Sequence, residues 1–194
     1  MSGGPEETSS AVDEETERLI AAHADRAYSI ALRMTGNEAD AGDVVQEAFL
    51  RVMRYMKSYD RTLPFEAWLG QIIRNVYLNS LRLEARKRQV PLSSPLGDDD
   101  DEGFSLENRL ADTAPTPERD AESRDAHDEV HRALGSLSPN LRMTVILVDL
   151  EGMERNDAAQ AIGISLSALD VRLHRARATL RETIEARRRQ EASA

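Results

Sequence analysis

Apolar side chains recur at helical spacing in two separate stretches of this chain, about residues 12–89 and 127–189. In the first stretch, Ile20, Ala24, Ala27, Ala31 and Met34 mark one face of a helix. Ser10, with Asp13 three residues on, suggests its start by a weak capping box, and Gly36-Asn37 stops it. Val45, Phe49, Val52 and Met56, flanked by Val44, Ala48 and Met53, predict a second helix from about Asp40. Pro64 opens a third, where a missing N–H is harmless. Phe65, Trp68, Leu69, Ile72 and Val76 form its predicted buried stripe, and the helix runs on to about Arg88. In the second stretch, Val130, Ala133, Leu134 and Leu137 line one helix, ended by Ser138-Pro139. Leu141, Val145, Ile146 and Val148 line the next, stopped near Glu151-Gly152. A short Ala-rich segment, Asp157–Ile162, then meets a turn at Gly163-Ile164-Ser165 and a long helix from about Leu166 to Arg189. No run alternates apolar and polar residues long enough for a sheet. The predicted fold class is all-α, in two small helical bundles.

Charge separates the bundles. The net charge of the 194 residues is −10, and residues 97–128 carry twelve acids against three arginines, including the run Asp98–Glu102. Such a segment buries too little apolar surface to offset its ordering entropy. The expected organisation is a disordered tail over 1–11, a first bundle over 12–90, a flexible acidic linker over 91–126, a second bundle over 127–189 and a tail over 190–194. The absence of cysteine excludes disulfides and thiolate metal sites. The longest apolar stretch, Met143–Val148 apart from Thr144, is far below the roughly 20 residues that span a bilayer. With no signal-like segment at the start, the expected location is cytoplasmic. A negative overall charge requires any nucleic-acid binding to come from local basic patches.

Catalytic chemistry finds little footing. His127 and His131 stand four residues apart, but no third ligand has suitable spacing, so a solvated helix face is the simpler reading. No phosphate loop, nucleophile elbow or H-E-x-x-H occurs. The expectation is a protein that is not an enzyme and needs no cofactor or metal.

Three faces are better suited to binding. On the third helix, Asn75, Asn79, Arg82 and Arg86 recur on one side, thickened by Arg74, Lys87 and Arg88. Amides that pair base edges, aligned with arginines that pair phosphates, suit DNA, although a solvated charged face has the same spacing. Six of the eight aromatics lie between Phe49 and Tyr77. Tyr59, in or beside a polar loop, is the candidate for base stacking, with a core or surface role open. After the Gly163 turn, Arg172, His174, Arg175, Arg177 and Arg181 flank Leu169, Leu173 and Ala176, a helix-turn-helix pattern. On the second helix, Asp43, Gln46, Glu47, Leu50 and Arg54 face outward, and Leu50 among polar groups hints at a protein-binding surface.

Taken in order, these segments resemble the extracytoplasmic-function (group IV) sigma factors of bacterial RNA polymerase. Residues 31–37 (ALRMTGN), 40–49 (DAGDVVQEAF) and 65–75 (FEAWLGQIIRN) resemble the family's region 2. Ala133-Leu134 through Leu137, Leu147–Gly152 and residues 172–177 (RLHRAR) resemble region 4. The resemblance implies that Asp43, Gln46, Glu47, Leu50 and Met53 grip core RNA polymerase. It implies that the loop with Tyr59 and Arg61 captures an unstacked base of the −10 element, which Arg74, Asn75, Asn79, Arg82 and Arg86 read and melt. It implies further that Ala168, Asp170, Val171, Arg172, His174, Arg175 and Arg177 face the −35 element. Promoter DNA, core polymerase and an anti-sigma factor are the implied partners. One departure stands out: Asp170 and Val171 lie where the family carries a basic-Ser pair, placing an anion where phosphate or guanine contacts belong. A plain helix-turn-helix regulator, or a sigma-shaped interaction protein that no longer reads promoters, are the alternatives.

Overall fold

The computed structural model describes residues 5–87 and 129–192, so the acidic linker expected over 91–126 lies outside the described residues. Among these residues the only regular structure is helical. α1 spans Pro5–Thr35, α2 Glu38–Tyr55 with a 3₁₀ turn at Met56–Ser58, and α3 Phe65–Lys87. α4 covers 129–135, α5 Pro139–Val145 and, continuing it, a π-helical turn at Ile146–Leu150. α6 (Arg155–Ile162) and α7 (Leu166–Glu191) complete the chain.

Local chemistry explains most boundaries. α1 begins at Pro5, not near Ser10, and so takes in residues assigned by sequence to a tail. Proline followed by acids is itself a good helix start, because the first turn has no N–H bonds to lose and favours negative charge. Gly36, at φ +81°, ends α1. Asn37 does more than stop it. Its side-chain oxygen accepts from the Asp40 amide at 2.8 Å, so it caps α2, which starts two residues earlier than expected. Ser138 caps α5 and Ser165 caps α7 in the same manner. Between α6 and α7, Gly163 adopts φ +79°, and its amide and that of Ile164 return to the Ala159 and Gln160 carbonyls. That left-handed closure favours glycine and sets the sharp turn of the helix-turn-helix.

The two bundles share one core. α1, α2 and α3 bury Ala27, Ala31, Met34, Ala48, Val52 and Phe65, while α4–α7 bury Leu137, Met143, Ile146, Leu169 and Leu173, all in a single cluster. α3 joins the halves. It packs on α1 and α2 and also on α6, and its burial extends round the helix through Leu69, Ile73, Val76, Tyr77, Leu78 and Leu81. Trp68 and Ile72 of the predicted stripe are only half-buried. At Gly70 the fit is close: a Cβ there would stand 3.4 Å from the Leu147 side chain.

Arg142 is the least expected member of this core, at 4% exposure. Its guanidinium donates to the carbonyls of Leu134 (2.8 Å), Gly135 (3.2 Å) and Leu137 (3.2 Å), where α4 ends. It also donates to the Met34 carbonyl of α1 at 2.6 Å. Burial pushes its pKa down, opposed by the hydrogen-bonded Tyr77 of α3. A planar five-donor fork is the side chain able to satisfy several carbonyls of two helix ends together.

Candidate nucleic-acid and polymerase interfaces

Along α2, Ala41, Val44, Ala48 and Val52 turn inward. The opposite side therefore presents Asp43, Gln46, Leu50 and Met53 to solvent, with Leu50 at 48% and Met53 at 54% exposure. Tyr55 is 50% exposed. Glu47 is half-buried and accepts from Arg51 Nε one turn on, at 2.8 Å. Leu50 and Met53, about one turn apart and rimmed by polar groups, form a patch of the sort that partner proteins cover. Tyr55, at the C-terminal end of α2, lies on a different side of the helix from Leu50 and Met53.

The loop between α2 and α3 is built by side chains. Asp60 Oδ1 accepts from the Thr62 amide (2.9 Å) and hydroxyl (2.7 Å), and these bonds hold its carboxyl below the usual range. Tyr59 does not stand free. Its ring stacks on Trp68 with centroids 4.7 Å apart, meets Phe65 edge-on at 5.8 Å, and its hydroxyl donates to the Leu63 carbonyl. Burial raises its pKa, partly offset by Arg61. Arg61 forks onto Glu15 of α1 at 2.9 and 2.6 Å, an exposed pair that raises the arginine's pKa.

Further along α3, Asn75, Asn79 and Arg86 are exposed and Arg82 is half-buried, all on the side away from Val76–Leu78 and Leu81. Arg74 lies at the margin. Its Nη2 donates to Asn140 of α5 at 3.0 Å and its Nη1 to Asn75 at 3.4 Å.

On α7, burial of Leu169, Leu173 and Ala176 leaves Asp170, Val171, His174, Arg175 and Arg177 exposed, with Ala168 and Arg172 half-buried. Two of the charged groups are neutralised within the motif. Arg177 forks onto Asp149 (3.0 and 2.5 Å), which raises its pKa. Asp170, the residue at odds with the family pattern, accepts from Arg155 at the start of α6 at 3.3 Å. Neither Arg155 nor Asp149 was a sequence candidate. Both lie on other helices, so only folding reveals the pairing.

No helix among the described residues is long and apolar enough to cross a membrane. No group of three or more metal-binding side chains occurs among them, and His127 lies outside them.

Comparison with known proteins agrees with this division. Residues 19–87 match the family model of sigma-70 region 2, and residues 127–180 that of sigma-70 region 4. The chain is 32% identical over 166 residues to the ECF RNA polymerase sigma factor SigE of Mycolicibacterium smegmatis, covering 86% of this chain and 60% of that relative. It is 34% identical over 157 residues to the ECF sigma factor SigF of Caulobacter vibrioides, covering 81% and 77% respectively. In fold it is similar to the sigma factor RpoE of Bartonella quintana, solved in complex with the anti-sigma factor NepR. The TM-score is 0.69 at 21% identity, over 89% of this chain and 98% of that one. With region 2 on α1–α3, region 4 on α4–α7 and close kinship along both, the chain belongs to the extracytoplasmic-function group of the sigma-70 family.

Proposed function

We propose that this protein recruits core RNA polymerase through α2 and directs initiation at promoters whose −10 element meets α3 and whose −35 element meets α7. The observation that carries the reading is the pairing, in one chain, of an apolar docking patch (Leu50, Met53) with an amide-and-arginine face on the next long helix. Asp43, Gln46 and Glu47 supply the polar rim of the docking patch. Physics supports the division of labour. Opening about ten base pairs, at roughly 1.4 kcal/mol per stacked step, takes about 14 kcal/mol. One short helical face does not supply that, but it can trap bases already out of the stack while a larger enzyme holds the strands. In this reading Asn75, Asn79, Arg82 and Arg86, with Arg74, line the path of the opened strand. Tyr59, stacked on Trp68, and Arg61 shape the loop that receives an extruded base. On α7, Ala168, Asp170, Val171, Arg172, His174, Arg175 and Arg177 meet the −35 duplex. In this reading an anti-sigma factor serves as inhibitor, the location is cytoplasmic, and the protein acts as an initiation factor without catalysis of its own; the kinship supports each. A simple helix-turn-helix regulator is disfavoured by the region 2 match over residues 19–87.

The test is run-off transcription from genomic fragments with purified core polymerase. The intact chain is expected to yield discrete starts. Leu50→Asp with Met53→Asp is expected to weaken polymerase binding by about 100-fold, as loss of two central apolar anchors does. The α3 and α7 surfaces stay intact in that variant, and undiminished binding would move the docking site elsewhere.

The Asp170–Arg155 pair yields a second expected result. Both side chains are about half exposed, so the pair adds little stability. Its effect is on the field that DNA meets. Asp170→Arg removes an anion and releases Arg155, so duplex affinity should rise several-fold at low salt, with the salt slope steeper by about one to two phosphate contacts. Fluorescence anisotropy across a salt series measures both. Looser binding would instead identify Asp170 as an acceptor for a base amine.

A further inference from the structure

We propose that Val171 reads the 5-methyl group of a thymine in the −35 element, so that promoters of this protein carry a thymine at the base pair facing the second turn of α7. The inference deepens the proposed function and rests on its assignment of α7 to the −35 duplex.

Helix geometry puts Val171 at the crest of α7. Leu169 and Leu173 are buried and fix the inner side of the helix. Val171 stands two positions from each, and so about 160° round the helix from both. It is 51% exposed, more than any other large apolar side chain described on α4–α7. Ser165 caps the helix, which opens at Leu166. Val171 therefore lies in the first two turns, the part of a recognition helix that meets base edges.

Its neighbours leave the middle of this face apolar. The Ser167 hydroxyl, one turn earlier on the same crest, bonds the Ser165 hydroxyl at 3.0 Å within the cap. Ala168, three positions before Val171, is half-buried and adds a second small methyl. On the flank toward α6, Arg155 is taken up by Asp170, and Arg177 by Asp149. Exposed donors resume a turn further on, at His174 and Arg175.

A single exposed valine on an ordinary surface needs no explanation. Pressed against base edges, it discriminates. Valine offers neither donor nor acceptor, so over guanine, adenine or cytosine it strips water from a polar edge and returns nothing. Among the four bases thymine alone presents an apolar group in the major groove, and burial of its methyl against Val171 is favourable. Selectivity comes from both effects, a gain over thymine and a stranded polar edge over the rest.

Run-off transcription with core polymerase and the full chain, at subsaturating holoenzyme on a start site the chain uses, tests the contact. Each thymine of the −35 element, on either strand, is replaced singly by uracil, which removes the methyl and keeps every hydrogen-bonding group. One such uracil should lower initiation about fourfold, the worth of one buried methyl. Val171→Ser should show a similar loss on the all-thymine promoter and no further loss on the uracil one. Val171→Thr, which keeps one methyl, should restore the response to thymine. A merely structural role would lower both templates together and leave the thymine-to-uracil ratio unchanged. An element without thymine, one whose thymines all tolerate uracil, or a Val171→Ser chain as sensitive to uracil as wild type would overturn the contact and leave promoter-directed initiation standing. A holoenzyme that starts nowhere overturns the proposed function, and the contact with it.

Discussion

With Asn75, Asn79 and Arg82 all replaced by alanine, initiation at the protein's own start sites should fall by about three decades or more, while polymerase binding stays at the wild-type level. Each well-placed amide or guanidinium contact to a base is worth about 1–3 kcal/mol. Three such losses at the step where single strands are captured therefore exceed what residual contacts can repair. The prediction separates function from folding because Asn75 and Asn79 are exposed, and the core under them is made by Val76, Tyr77 and Leu78. The α2 patch that meets polymerase lies on a different helix. Run-off transcription on duplex and on pre-opened templates measures the effect. Recovery on the pre-opened template places the defect in melting, whereas a persistent defect places it in base reading. Wild-type initiation by the triple variant would refute the assignment of this face.

The largest effect on stability is expected at Arg142. Arg142→Met keeps most of the volume but removes every donor, leaving carbonyls of Leu134, Leu137 and Met34 without their partner in a buried setting. Removal of one side of such a buried arrangement costs about 3–5 kcal/mol, which lowers Tm by about 10 °C for a chain of this length. Arg142→Lys should recover little, because an ammonium is a point donor and cannot span the ends of α1 and α4 together. Calorimetry or thermal circular dichroism gives the answer, and a loss below about 1 kcal/mol would mean that water replaces the guanidinium without penalty.

Arg142 also illustrates what a one-dimensional pattern conceals. It stands three and four residues before Val145 and Ile146, so periodicity places it on the apolar face but does not say which carbonyls its guanidinium meets there. The third helix conceals something different. Its apolar positions are too many for one stripe, since Gly70 meets Leu147 and Tyr77 meets Arg142 of the second bundle. Tyr59 was legible as an aromatic at a loop, but not as a ring stacked on Trp68 with its hydroxyl committed to Leu63. Asp170 was legible as an anomaly, yet its partner Arg155 was not.

Helix positions, the Ser138 and Ser165 caps, the Gly163 turn, the outward amides of α3 and the kinship itself could all be read from residues near one another in the chain. These features arise from a 3.6-residue repeat and from bonds spanning four residues or fewer, so neighbouring letters suffice to specify them. The shared core, the pairing of Glu151 with Arg26 and the burial of Arg142 bring together helices far apart in the chain, up to the 125 positions between Arg26 and Glu151. Their energy depends on shape and charge meeting across a solvent-excluded contact, and that meeting exists only once the chain has folded.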